Sequence, residues 1–178
     1  MISEKMQKAV NYVIFPVKWG HFGLAGGEKG LLRTCLPGPR SEEIKGCLLK
    51  DIPFAQFNSS FLKQVQEQIA AYFEGPAVDL GPEIPVDLSG LTHFQAVVLT
   101  ACRQVKLGQT ITYAELAERI GRPNAARAVG NALAKNPLPL IIPCHRILRS
   151  DSGLGGFSAP GGIKLKARLL VHERALLE

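Results

Sequence analysis

The stretch that decides the reading is Asn136-Pro-Leu-Pro-Leu-Ile-Ile-Pro-Cys144-His145-Arg146-Ile147. Prolines at 137, 139 and 143 lock φ and remove backbone donors, which excludes an ordinary helix or a central strand. Leu138, Leu140, Ile141 and Ile142 favour burial. Together they describe a stiff strap threaded through an interior and surfacing at a polar triplet. A thiol beside an imidazole and a guanidinium is a setting for a low-pKa thiolate, because nearby positive charge and donors favour the charged form. The competing reading is a buried structural cysteine, in effect a small hydrophobe.

Immediately before the strap, two short helices are joined tightly. Thr112-Tyr-Ala-Glu115 is a capping box that opens the first, and Gly121 closes it. Arg122-Pro123 makes the turn, and residues 124–135 form the second helix. The lengths and the glycine turn fit a helix-turn-helix. In the second helix Val129 and Leu133 supply the buried stripe. The other positions are mostly small: Ala125, Ala126, Ala128, Gly130 and Ala132, with Arg127 the one long side chain among them. A helix that reads bases in the major groove needs long polar side chains at base edges. This one suits close backbone approach to the narrower minor groove, without sequence preference and with one inserted arginine. The alternative is an alanine-rich helix packed tightly on both sides.

After the strap, residues 150–162 form a loop dense in glycine, able to bring backbone close to a ligand, with Phe157 offering a face on which a base could stack. A final helix, Ile163 to about Leu177, turns Leu165, Ala167, Leu169 and Leu170 inward and carries His172 and Glu173 near its end. Upstream of the helical pair, Thr92 caps a helix running to about Val105, with Phe94, Val97, Val98 and Ala101 as its stripe. Residues 75–90, rich in proline and glycine, read as a linker.

The first half reads as strands over 11–36, a hairpin or short meander closed by Pro37-Gly-Pro39. A weak helix follows over 42–49. A clear one spans 59–73, with Phe61, Leu62, Val65, Ile69 and Phe73 on one face, Ser59 or Ser60 as its cap and Gly75-Pro76 as its stop. This is a small α+β unit in which Trp19, His21 and Cys35 read as packing residues.

Bulk properties set the frame. The 178 residues have 46% hydrophobic content and a mean hydropathy of +0.09, and the N-terminus leads into no signal-peptide core. No apolar run reaches the roughly 20 residues of a membrane span. Four cysteines, at 35, 47, 102 and 144, show neither CxxC pairing nor zinc spacing, so a reducing cytoplasm and no metal are expected. Residues 1–90 carry 9 Lys/Arg against 10 Asp/Glu, whereas residues 91–178 carry 12 against 5. The net +6 therefore resides in the half that holds the strap. Such asymmetry points to a polyanionic partner, the alternative being a solvated basic surface.

Pro143-Cys-His-Arg-Ile147, with Asn136-Pro137 and Ala125-Ala-Arg-Ala-Val-Gly130 before it, strongly resembles the O6-alkylguanine-DNA alkyltransferases over about residues 92–178. The first half matches only in its strand-then-helix plan. The resemblance implies an α+β chain with a ribonuclease-H-like N-terminal domain over 1–88 and a winged-helix-like C-terminal domain over 89–178. It implies a single-use transfer from O6-alkylguanine, with O4-alkylthymine as a second substrate, to the protein's own cysteine, with no cofactor. It casts Cys144 as acceptor, His145 as base through a water, Glu173 as the residue orienting His145, and Tyr113 as donor to guanine N3. Asn136 ties the turn to the strap. Arg127 replaces the flipped nucleotide, beside Thr112, Ala125, Ala126, Ala128 and Gly130 at the DNA surface. Phe157 walls the pocket, the Ser158 amide binds O6, and the Cys144 and Ile147 carbonyls accept the exocyclic amine. Duplex DNA carrying the lesion is the implied partner of a monomer able to cooperate on DNA. Segment 158–162 is longer than the common form, which bears on pocket width. The zinc ligands of mammalian relatives have no counterparts here.

Three rivals differ in testable ways. A lesion-flagging relative would lack the cysteine. A transcription regulator would show sequence preference. A thiol hydrolase would turn over and ignore DNA.

Overall fold

Alternation along the first strands builds a sheet covered on both faces. In the computed structural model, which describes residues 9–75 and 77–174, β1 (Asn11–Val17), β2 (Gly20–Gly27) and β3 (Gly30–Gly38) form an antiparallel meander. β4 (Gln56–Phe57) adds to β1 in parallel, giving the order β3-β2-β1-β4. Successive side chains point to opposite faces. Tyr12, Ala25 and Cys35 therefore pack with Ile44 and Leu48 of α1 (Ser41–Leu49), while Val13, Phe15, Phe22 and Leu24 face Val65, Ile69, Tyr72 and Phe73 of α2 (Lys63–Glu74). A Cβ on Gly23 would stand 2.9 Å from Ile44 Cγ2, so glycine there is what lets α1 lie on the sheet. Each buried aliphatic or aromatic side chain of this layer contributes about 1.5–3 kcal/mol.

The expected meander and the weak first helix are both present. α2 starts later than the expected residue 59: Ser59 and Ser60 lie in a turn, and Leu62, with φ at 49°, precedes the helix without a side-chain cap. Asn58 instead accepts from the Ser60 amide, closing that turn ahead of the helix. Gly75 ends α2 as expected, and Pro76 lies outside the described residues. The stretch read as a linker is bonded to the sheet. The Leu31 amide donates to Pro85 O at 2.9 Å and the Asp87 amide to Leu31 O at 2.8 Å, and Leu80 and Ile84 are buried.

Thr92 caps α3 (His93–Cys102) in a capping box with Gln95, and the helix ends before the expected Val105. Its inward residues are Val98, Leu99 and Cys102, one position round from the expected stripe. The Thr112/Glu115 box starts α4 (Tyr113–Arg119) as read. α5 (Ala126–Leu133) buries Ala132 along with Val129 and Leu133, so that alanine belongs to the core rather than to a free helix face. α6 (Gly162–His172) turns Lys166, Leu169 and Leu170 inward, not the expected Leu165 and Ala167, which are only half-buried. The helix's expected continuation to Leu177 enters residues 175–178, outside the described residues.

The strap is buried as expected: Leu138, Leu140, Ile141 and Ile142 have 2% exposure or less. It ends in a 3-10 turn, Cys144–Arg146, followed by β6 (Ile147–Leu148), which pairs in parallel with β5 (Ile111–Thr112). One continuous apolar core takes residues from both halves, with Phe22, Tyr72 and Phe73 joined to Leu99, Leu138 and Leu169. Thr34 of β3 grips the strap directly, its amide donating to Pro137 O at 3.0 Å and its hydroxyl to Pro139 O at 2.8 Å.

Candidate active site

Pro143 breaks the ladder and Cys144 opens the 3-10 turn, so the thiol is presented by backbone that cannot slide. The triplet does not surface, contrary to expectation. Cys144, His145 and Arg146 are all buried, at 9%, 0% and 4% exposure. Cys144 reaches the floor of an open pocket of about 1440 Å³. Tyr113 of α4, Arg127 and Gly130 of α5, and Phe157 and Ser158 of the glycine loop line the same pocket. Gly155, at φ +70°, lies so close to Tyr113 that a Cβ there would be 2.8 Å from the phenol oxygen.

Asn136 Nδ2 donates to Cys144 Sγ at 3.3 Å and to Ile142 O at 2.9 Å, and its Oδ1 accepts from the Leu138 amide at 3.0 Å. The side chain thus straps the turn to the thiol. Behind the thiol lies a charged cluster sealed from solvent. His145 Nε2 is 2.9 Å from Glu173 Oε1. Arg146 donates through Nε to Oε2 and through Nη2 to Oε1 of the same carboxylate, both at 2.9 Å, and through Nη1 to Val105 O at 2.6 Å. The Tyr72 hydroxyl donates to Glu173 Oε1 at 2.8 Å.

Burial alone would raise Glu173, but hydrogen bonds from His145 and Arg146 and the charge of Arg146 outweigh it and hold the carboxyl at about 2. An ionised carboxylate only accepts, so His145 Nε2 carries the hydrogen and the neutral ring's Nδ1 is a bare lone pair. That Nδ1 is buried without a hydrogen-bond partner among the described residues. Burial lowers His145 despite Glu173, leaving the imidazole neutral and basic at one nitrogen. Cys144 differs from the low-pKa expectation. Burial raises it, and Asn136, Lys166 and backbone amides only partly offset this. The reason is where the guanidinium goes: Arg146 is committed to Glu173 and does not serve the thiol. The resting group is a thiol with a base close by in sequence.

Several expected residues stand outside this pocket wall. The Thr112 hydroxyl is engaged as a helix cap, Ala125 precedes α5, Ala128 is exposed, and Ile147 is fully buried. Ile147 O already accepts from Lys166 Nζ at 2.6 Å. Lys166 was not among the expected site residues. It is wholly buried, lies 5.9 Å from the Tyr113 ring centroid, and is lowered by burial to about 8. Its signal was periodicity: 166, 169, 170 and 173 share one helix face, so a stripe containing Leu169 and Leu170 carries a lysine and a glutamate inward. Tyr72 gave no local signal, because its partner lies 101 residues away.

Residues 93–175 match the family described as "6-O-methylguanine DNA methyltransferase, DNA binding domain". A "Methylated-DNA--protein-cysteine methyltransferase" of Methanosarcina acetivorans is 34% identical over 167 residues, 91% of this chain and 97% of the relative. The chain belongs to the methylated-DNA–protein-cysteine methyltransferases. Another methyltransferase of this name, from Methanothermobacter thermautotrophicus, is 40% identical, with the aligned part spanning 66% of this chain and 64% of the relative. Among solved structures, Mycobacterium tuberculosis OGT in complex with DNA superposes with a TM-score of 0.77 at 29% identity, covering 93% of each chain. The methyltransferase family name itself states a reaction, from methylated DNA to a protein cysteine.

Proposed function

We propose that this chain repairs DNA by direct reversal, moving an alkyl group from guanine O6 onto Cys144 once per molecule. The observation that carries the reading is the thiol on the pocket floor, coupled in sequence to a buried imidazole with a free Nδ1 and an ionised partner. Cys144 Sγ attacks the alkyl carbon. The S–C bond forms as the C–O6 bond breaks, and the electron pair passes into the guanine. The thiol proton leaves through a water to His145 Nδ1, and Glu173 steadies the imidazolium, the logic of an activated nucleophile. Tyr113 donates to N3 and offsets the charge of the departing base. A thioether does not hydrolyse, so the molecule is spent.

The DNA surface is α5. Its exposed Arg127 stands at the pocket mouth, suited to occupy the gap left by a flipped nucleotide. Thr112, Ala125, Ala126, Ala128 and Gly130 form the small-residue approach to the minor groove. Phe157 and the Ser158 amide wall the base pocket, and the Cys144 and Ile147 carbonyls take the exocyclic amine, Ile147 O through its second lone pair. O4-alkylthymine, which carries an equivalent alkyl ether, is a further substrate. Within the α+β fold we assign a ribonuclease-H-like domain to 1–88 and a winged-helix-like, helix-turn-helix domain to 89–178. We further assign a monomer that can cooperate on DNA. A free acceptor thiol suits a reducing compartment, and we assign the cytoplasm.

The test is a single-turnover assay with duplex DNA carrying radiolabelled O6-methylguanine, comparing the wild type with Cys144→Ala. One label per protein, and none on the variant, is the expected result. DNA binding without transfer would overturn the reading in favour of a lesion-flagging protein.

A further inference from the structure

Glu173 is served from both halves of the molecule. Its Oε1 accepts from His145 Nε2, Arg146 Nη2 and the Tyr72 hydroxyl, at 2.9, 2.9 and 2.8 Å. Tyr72 belongs to α2, which packs on the N-terminal sheet. Its side chain has no exposed surface, and its ring is clamped edge-on between Phe73 at 4.9 Å and His172 at 5.1 Å. The Tyr72 carbonyl is engaged by His172 Nε2, so backbone and ring are both held against the end of α6. A phenylalanine would fill this space equally well. A buried hydroxyl costs free energy unless it is bonded, and here it has one carboxylate oxygen to serve.

We propose that Tyr72 is a positioning residue of the transfer site, by which the N-terminal half sets the charge that Glu173 presents to His145. The inference rests on the reading above. Its physical content is charge sharing. Each donor on Oε1 draws negative charge away from the imidazole, so His145 is oriented by the carboxylate without being held as a permanent imidazolium. Without the Tyr72 hydroxyl, Oε1 keeps only the bonds from His145 and Arg146, and more of its charge falls on the imidazole. The other titratable groups around His145 are Lys166, which faces it from α6, the Cys144 thiol, and Asp79, 3.7 Å from Arg146 Nη1. None of these contacts the Tyr72 hydroxyl, so a change confined to that hydroxyl reaches His145 through Glu173.

The experiment is an NMR titration of the His145 imidazole in the full chain, assigned against His145→Gln, for the wild type and Tyr72→Phe. The expected result is a rise in the His145 pKa of roughly half to one pH unit, from the loss of one hydrogen bond to a charged group. Replacement of Tyr72 by 3-fluorotyrosine, a stronger donor, is expected to move it the other way. A His145 titration unchanged in both variants overturns the proposal, as does a shift of the same sign in both. This readout does not depend on transfer, so a failed alkyl-transfer assay would refute the proposed reaction without touching the assignment of Tyr72. Where transfer is measured, the acid limb of its rate profile is expected to move with the His145 pKa. A uniform slowing at every pH would reduce Tyr72 to a packing role.

Discussion

Asn136 uses both ends of its amide, donating to the thiol and to Ile142 O while accepting from the Leu138 amide. Asn136→Ala removes all three bonds from a half-buried site, taking the acceptor from the Leu138 amide and leaving Ile142 O only the Cys144 amide. The expected cost is about 1–3 kcal/mol in urea unfolding, with transfer slowed at least tenfold as the thiol loses its alignment. His145 supports a second prediction, for pH. Burial holds its pKa below the ordinary value of about 6.5. Only the neutral ring accepts a proton, so the transfer rate should persist as pH falls past 6.5 and decline only at lower pH. A decline already complete at pH 6.5 in a single-turnover pH series would contradict this. Glu173 gives the corresponding sign for stability. Its folded pKa, about 2, lies below the unfolded value, so its contribution is present at neutral pH and is lost as pH falls toward 2.

Among the elements, the glycine loop and α5 define the pocket. Gly155 sits at φ +70° against the Tyr113 ring, where any side chain meets both strain and the phenol. Gly155→Ala should cost about 1–2 kcal/mol in stability from the left-handed backbone. It should cost proportionally more in transfer, because Tyr113 must move. Comparing the thermal melt with the single-turnover rate separates the two effects. Arg127 makes the opposite kind of prediction, since it is exposed and forms no side-chain hydrogen bond or ion pair among the described residues. Arg127→Ala should leave the melt unchanged and keep reaction with a free alkylated base near wild type, while duplex repair falls. Equal loss on both substrates would remove Arg127 from the flipping step.

Across the whole molecule, the strap is gripped from the N-terminal sheet. Thr34 is 4% exposed and bonds Pro137 and Pro139 across 103 and 105 residues of chain. Thr34→Val keeps the shape and leaves Pro139 O without its partner. The expected loss is about 1–2 kcal/mol, seen as a lower urea midpoint at unchanged slope. A changed slope would instead mean that the two halves unfold separately. The sheet thus holds the strap, while Tyr72 of α2 bonds the carboxylate. It supplies no residue to the main pocket wall.

What was legible in advance is what local chemistry decides. Proline spacing made 136–143 a strap, Thr112 and Glu115 announced a helix start, and β-branched and aromatic runs broken by a glycine turn marked the meander. Cys144 and His145 were legible locally, as a thiol and an imidazole side by side at the end of the strap, and Glu173 as a carboxylate near the end of the last helix. Asn136 became a candidate only through the family resemblance. Local chemistry could not say which way the polar triplet faces. Arg146 was expected to help the thiol. It turns instead to a glutamate 27 residues away, because a buried cation requires a buried anion. Tyr72 was invisible for the same reason, and Lys166 showed only as a lysine on an apolar helix face whose partner sequence could not name. Their partners are a carboxylate 101 residues away and a carbonyl 19 residues away, and only packing of α6 against both halves brings those groups within bonding distance. Short-range sterics choose the elements, whereas desolvation of charge, which depends on everything packed around it, decides how the site is wired.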